Sequence, residues 1–211
     1  LQTRFDEMKH DERLGDVELQ VPGIHNVRKA LAAAAVGLEL EIDFDQIRDG
    51  LEAFTGVRRR FEKVGEARSV TVLDDYAHHP TEIRATLDAA SQGYPDRRIV
   101  AVFQPHLYSR TRDFLDDFAR SFFETDLLVL TDIYGAREEP IEGIDGERLA
   151  DRAGEFGHRA VHYVPDKTDL PGELLDVTRP DDVVLMLGAG DIWRYSRTFV
   201  ELLNENEEDK S

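Results

Sequence analysis

Two nine-residue runs hold most of the side chains able to do chemistry: Asp74-Asp75-Tyr76-Ala77-His78-His79-Pro80-Thr81-Glu82 and Phe103-Gln104-Pro105-His106-Leu107-Tyr108-Ser109-Arg110-Thr111. The first sets two imidazoles beside carboxylates, and imidazole changes charge near neutral pH, so His78 or His79 can orient or deprotonate a nucleophile. The same residues also suit a polar loop that only caps the helix opened by Pro80. In the second run, Arg110 at a helix start can clamp a carboxylate bidentately, helped by unpaired backbone N–H groups. Its competing role is an ordinary ion pair with Asp113. The spacing of Asp74, His78, His79 and Glu82 only partly suits a metal, and no metal site is expected.

Both runs need a scaffold, and the sequence around them supplies one. From Val70 onward, apolar strand patterns alternate with amphipathic helix patterns: strands 70–74, 98–103, 127–131, 160–164 and 182–187, and helices 81–91, 112–123, 147–156, 170–177 and 191–203. This alternation predicts right-handed βαβ crossovers and an α/β domain, a doubly wound, mostly parallel Rossmann-like sheet with helices on both faces. Each run then lies at the carboxyl end of a strand, where open α/β sheets bind ligands. Before Val70 the pattern is less regular. Val17–Val21 alternates like a strand, Asn26–Leu38 reads as a buried alanine-rich helix, Asp43 caps a second helix ending near Phe54, and Val57–Gly65 reads as a linker or interdomain seam. His158 and His162 are expected at the surface and Trp193 in the core; Asp191 is expected to cap the last helix or face a cleft.

Composition excludes several classes. A chain of 211 residues with 41% hydrophobic content can bury a core. A formal net charge of −18 argues against a nucleic-acid partner and for a solvated acidic surface, of a kind suited to high salt. There is no cysteine, hence no disulfide framework, and the longest apolar run is too short to span a bilayer. No signal-like segment is visible, so a cytoplasmic protein without membrane insertion is expected.

The two runs resemble signature segments of the Mur ligases of peptidoglycan synthesis. Further matching pieces follow in the family's order: Gly23-Ile24-His25-Asn26-Val27, Phe54-Thr55-Gly56-Val57 with Arg59-Arg60-Phe61, Asp132-Ile133-Tyr134 with Glu139-Pro140-Ile141, and Gly188-Ala189-Gly190-Asp191-Ile192. The resemblance covers nearly the whole chain and is closest to the alanine-adding branch. It implies an ATP-dependent amide ligase that joins L-alanine to UDP-N-acetylmuramate through an acyl phosphate. Residues 1–62 would be the end of the central ATP-binding domain and 63–211 the C-terminal amino-acid-binding domain, with the amino-terminal domain and the rest of the central domain as partners outside this chain. Tyr76, His78, His106 and Arg110 would line the L-alanine pocket, Arg110 holding the carboxylate and His78, the catalytic candidate, positioning the attacking amine. His25, Asn26 and Arg59 would lie at the ATP, although His25-Asn26 on residue type alone reads as a helix cap. ATP and Mg2+ are the implied cofactors, bound mainly outside this chain. No Gly-x-x-x-x-Gly-Lys-Thr loop occurs between Leu1 and Ser211, so these residues alone are expected to be inactive.

Two positions depart from the family's usual pattern. Lys29 stands where many members carry a second Asn, and Leu107 where a second Arg is common, which leaves Arg110 as the main carboxylate anchor. Two alternatives stay open. A ligase that recycles a preformed tripeptide shares the His-His-Pro-Thr element, although the Gln-Pro-His-x-Tyr-Ser-Arg-Thr segment favours the alanine branch. The other is a non-catalytic ligand-binding α/β module.

Overall fold

In a computed structural model, which describes residues 3–9 and 12–208, the chain divides into two units, Leu1–Val57 and Arg58–Ser211. The first contains strands β1 (Thr3–Lys9) and β2 (Glu12–Leu19), then helices α1 (Ile24–Glu39) and α2 (Phe44–Glu52). β1 and β2 pair antiparallel. Only the end of this hairpin is legible as a strand pattern, because its exposed face is charged, with Arg4–Asp16 and Arg13–Asp6 pairs across the strands. Val17, Leu19, Val21, Val27 and Ala30 form its small core with Phe5, Phe44 and Leu51. Asp43 caps α2 through a 2.9 Å bond from Asp45 N. Much apolar surface stays outside that core, with Ile24, Val36 and Leu40 exposed at 62%, 60% and 68%.

The second unit is the predicted α/β domain. Strands β3 (Glu62–Ala67), β4 (Val70–Asp75), β5 (Ile99–Phe103), β6 (Leu127–Thr131), β7 (Val161–Val164) and β8 (Val183–Leu187) form one sheet in the order β3-β4-β8-β5-β6-β7. All neighbours are parallel except β3 and β4. β4, β5, β6 and β8 are buried along their whole length, which is why they read as unbroken apolar runs. Leu73, Ala101, Phe103, Leu128 and Leu130 pack under helices α3 (Pro80–Gly93), α5 (Leu115–Arg120) and α6 (Gly146–Glu155). Val72, Val100, Val102, Val129 and Met186 pack under α7 (Leu170–Val177) and α8 (Trp193–Glu208) on the other face. Strand β8, sent to the α8 face, lies between β4 and β5, whose following helices take the opposite face. The sheet's switch point therefore falls at the carboxyl ends of β4, β8 and β5.

Three expectations are corrected. The segment expected as a linker carries edge strand β3, whose apolar residue Val64 packs on the α8 side of the sheet. The single helix expected over 112–123 is two short helices, α4 (Tyr108–Asp113) and α5, broken at Phe114. It starts early because the Leu107 carbonyl accepts from both Thr111 N and Thr111 Oγ1, at 3.1 and 2.9 Å. His158 is buried rather than superficial; it accepts from Ala160 N at 3.3 Å and lies 2.9 Å from Thr125 Oγ1, and burial pushes its pKa down. His162 is half-buried and meets Glu173 at 3.0 Å.

One side chain fastens the switch point. Arg59 Nε meets Asp74 Oδ2 at 3.1 Å, and its Nη2 and Nη1 donate to Gly188 O at 2.6 Å and Gly190 O at 3.3 Å. Burial raises the Asp74 pKa to about 6 against the pull of Arg59. The folded state thus holds this proton longer than the unfolded chain, and ionising Asp74 costs stability as pH rises from about 4 through 6. Removing Arg59 leaves the carboxylate buried without its partner. Arg59→Ala is expected to lower stability by about 3 kcal/mol at pH 8 and by clearly less at pH 5, where Asp74 is already protonated. Urea unfolding at the two pH values checks this, and an equal loss at both would remove the Asp74 charge from the account.

Candidate active site at the carboxyl edge of the sheet

The loops after β4, β5, β6 and β8 converge because backbone bonds lace them together. Gln104 N donates to Leu187 O at 3.0 Å, Gly188 N to Asp75 O at 3.2 Å, Tyr134 N to Pro105 O at 2.8 Å and Leu107 N to Tyr134 O at 3.0 Å. Gly190 is needed where the β8 loop passes the β5 loop, since a Cβ there would collide with Gln104 Oε1 and come within 2.8 Å of Tyr134 Cγ. The Gly188-Ala189-Gly190 run is therefore a packing device at the sheet edge.

On this lacing stand four of the expected residues, Tyr76, His78, His106 and Arg110. The rings of Tyr76 and His78 meet edge to face at 5.1 Å, and those of His78 and His106 at 6.1 Å. His106 stacks on Tyr134 at 5.6 Å, and Arg110 Nη1 lies 3.4 Å from His106 Nδ1. A guanidinium can only donate, so His106 Nδ1 accepts and a neutral ring carries its hydrogen on Nε2. Burial pushes the His106 pKa down, reinforced by the charge of Arg110, which keeps the ring neutral. His78 has the opposite polarity, with Nδ1 2.8 Å from the Tyr76 carbonyl. His79 takes the capping role instead, accepting from Thr81 N at 3.4 Å and lying 4.9 Å from the Phe114 ring.

Arg110 does not pair with Asp113, which is occupied by Arg112 at 2.8 Å. It is positioned instead through the start of α4. Glu138 accepts from Ser109 N at 2.9 Å and from Ser109 Oγ at 2.5 Å, bonds that hold its carboxyl pKa low. Leu107, just before the helix, has φ 72, a left-handed conformation costly for a residue with a Cβ. Residue type and spacing give Glu138 and Tyr134 no site role. Their contribution depends on a loop folding back onto α4 and on parallel pairing of His106 with Tyr134, neither of which leaves a periodic signal.

Beside Tyr134 opens a cleft of about 530 Å³ lined by Gln104, Asp132, Asp166 and Lys167, with Lys167 bonded to Asp191 at 2.6 Å. A second cleft, of about 280 Å³, is lined by Arg58, Arg59, Lys63, Asp74, Trp193 and Arg197. Trp193, expected in the core, is half-buried in its wall, with the Arg59, Arg194 and Arg197 guanidiniums 5.5 to 5.9 Å from its ring. Of the residues expected at ATP, Arg59 belongs to the second unit and Asn26 to the first. Asn26 Nδ2 donates to Pro22 O at 2.7 Å, and the side chain of His25 lies outside the described residues. Among the described residues, no helix is long and apolar enough to cross a membrane.

Comparison with known proteins fits this arrangement. The model of the family described as Mur ligase, glutamate ligase domain, matches residues 59–190. A UDP-N-acetylmuramate–L-alanine ligase of Salinibacter ruber is 72% identical over 204 residues, covering 97% of this chain and 43% of that protein. One from Geobacter sulfurreducens is 51% identical, covering 92% of this chain and 42% of that protein. The crystal structure of the UDP-N-acetylmuramate-alanine ligase MurC from Thermotoga maritima is similar with a TM-score of 0.78 at 30% identity, over 99% of this chain and 46% of that one. The chain thus spans less than half the length of these relatives. Since the family match takes in every strand of the second unit and all four clustered side chains, the chain belongs to the Mur ligase family.

Proposed function

We propose that this chain is the amino-acid-binding part of an ATP-dependent ligase that joins L-alanine to UDP-N-acetylmuramate in the cytoplasm. The observation that carries the reading is the convergence of Arg110, His106, His78 and Tyr76 on one sheet edge. A guanidinium beside a neutral imidazole suits a small carboxylate, and a second imidazole of opposite polarity suits the amine of the same molecule. The names of the relatives support L-alanine as that molecule. A murein peptide ligase from Psychrobacter arcticus shares the fold at 24% identity, so the tripeptide reading is carried by fold alone.

The rest of the reaction is assigned outside this chain. ATP supplies the phosphoryl group that activates the lactyl carboxylate as an acyl phosphate, and Mg2+ and cationic groups would neutralise the charge in transfer. Asn26 still has Oδ1 and one amide hydrogen for an adenine edge, whereas Arg59 uses Nε and both terminal nitrogens on Asp74, Gly188 and Gly190. Asn26 therefore suits ATP, and Arg59 would reach it only while holding these contacts. The exposed Ile24, Val36 and Leu40 support reading the first unit as the end of a larger ATP-binding domain whose remainder covers them.

Phosphate release by the full-length gene product with ATP, Mg2+ and UDP-N-acetylmuramate is expected to depend on added L-alanine. Preference for the tripeptide would move it to recycling, and no release with either would favour a binding module. The 211-residue chain alone is expected to release none. In the full-length enzyme, Arg110→Ala is expected to raise KM for L-alanine about 10- to 100-fold, as loss of a charge-assisted contact should; an unchanged KM would sink the carboxylate-clamp role.

A further inference from the structure

Building on the ligase reading, we infer that His78 acts through Nε2 as the base for the incoming amine, and that Glu82 is the positioning residue that keeps it in that state. A carbonyl oxygen only accepts, so His78 Nδ1, 2.8 Å from Tyr76 O, must carry a hydrogen. Glu82 Oε2 lies 3.4 Å from the same Nδ1 and also accepts the backbone N–H of His78 at 3.1 Å. One carboxylate, on the first turn of α3, thus holds both the main chain and the ring of His78, two residues before the helix. In neutral imidazole this leaves the lone pair on Nε2, which has no hydrogen-bond partner among the described residues.

The surroundings give that lone pair a direction. Tyr76 and His106 flank the ring, and Arg110, which meets His106 at Nδ1, supplies the cation. An α-amino acid carries its carboxylate and ammonium one carbon apart. Seated with the carboxylate on Arg110, it turns the ammonium toward His78; the reverse seating would set two cations together. The ammonium passes one proton to Nε2. The freed amine attacks the carbonyl carbon of the acyl phosphate, the C–N bond forms, and the C–O bond breaks as inorganic phosphate leaves with the electron pair. A second proton leaves the nitrogen for phosphate or solvent, and the imidazolium returns its own to solvent. Glu82 stabilises the imidazolium as it forms, as a carboxylate behind a catalytic imidazole does. Arg60, 4.0 Å from Glu82 Oε1, moderates that charge.

Two measurements test this. Nitrogen-15 NMR of the labelled chain should show His78 protonated at Nδ1 and bare at Nε2 when the ring is neutral; the opposite tautomer would overturn the assignment whatever the enzyme catalyses. In the full-length enzyme, Glu82→Gln should lower kcat about 10- to 100-fold with KM for L-alanine changed less than about 3-fold. His78→Gln should lower kcat about 100- to 1,000-fold, and Glu82→Asp should recover part of the loss. Thermal unfolding confirms that each variant folds, and Glu82→Asp carries the test if Glu82→Gln does not. A raised KM with unchanged kcat in Glu82→Gln would reduce Glu82 to a wall of the pocket. A wild type without alanine-dependent release would overturn the ligase reading and the proton transfer with it, leaving the tautomer result to stand apart.

Discussion

The carboxyl edge of the sheet depends on Arg59. Its guanidinium ties the end of β4, through Asp74, to the loop after β8, through Gly188 and Gly190. Its plane also lies 4.9 Å from the Tyr76 ring and 5.9 Å from Trp193. Strands β4 and β8 are neighbours in the ladder, but a ladder fixes backbones only; the loops beyond it splay to opposite faces at a switch point. A planar group with donors in a rigid fork can bridge two such loops and still offer its faces to aromatic rings, which a lysine cannot do. Burial of Asp74 makes the bridge costly to ionise, a cost set against the contacts by which Arg59 joins the two loops.

Polarity in the pocket follows from the same constraint. With Tyr76 pinned by Arg59, the Tyr76 carbonyl is fixed where His78 Nδ1 meets it. Across the pocket, Arg110 fixes the opposite polarity on His106. Two imidazoles a few ångströms apart thus have different hydrogen-bonding faces, set by one carbonyl and one guanidinium.

The sheet was legible because its central strands are buried on both faces and read as apolar runs bounded by turns, and the helices followed from their periodicity. Features set by tertiary contact were not. Edge strand β3 has a half-polar pattern that only its pairing with β4 makes a strand. The charged hairpin β1–β2 hides its alternation behind cross-strand ion pairs. Trp193 follows a core pattern, yet the arginines around it hold its ring at a cleft wall. The two site runs themselves are visible in residue type and spacing, whereas residue type leaves His78 and His79 equal and only the family resemblance singles out His78, since adjacent histidines differ only in which one the helix start turns inward. Glu138 and Tyr134 were invisible as partners because loops have no period to read.

The anchoring of Arg110 shows how such a site is held without bulk packing. Leu107 sits in the left-handed region at the start of α4, a conformation that costs of order 1 kcal/mol or more for a side chain with a Cβ. A six-residue helix cannot hold that strain by its own hydrogen bonds. The loop after β6 supplies what is missing: Tyr134 O accepts from Leu107 N, and Glu138 binds Ser109 by both main chain and side chain. Thr111, fully buried, returns its hydroxyl to the Leu107 carbonyl. With the turn determined from three sides, the backbone that carries Arg110 is held at one place rather than sampled over many.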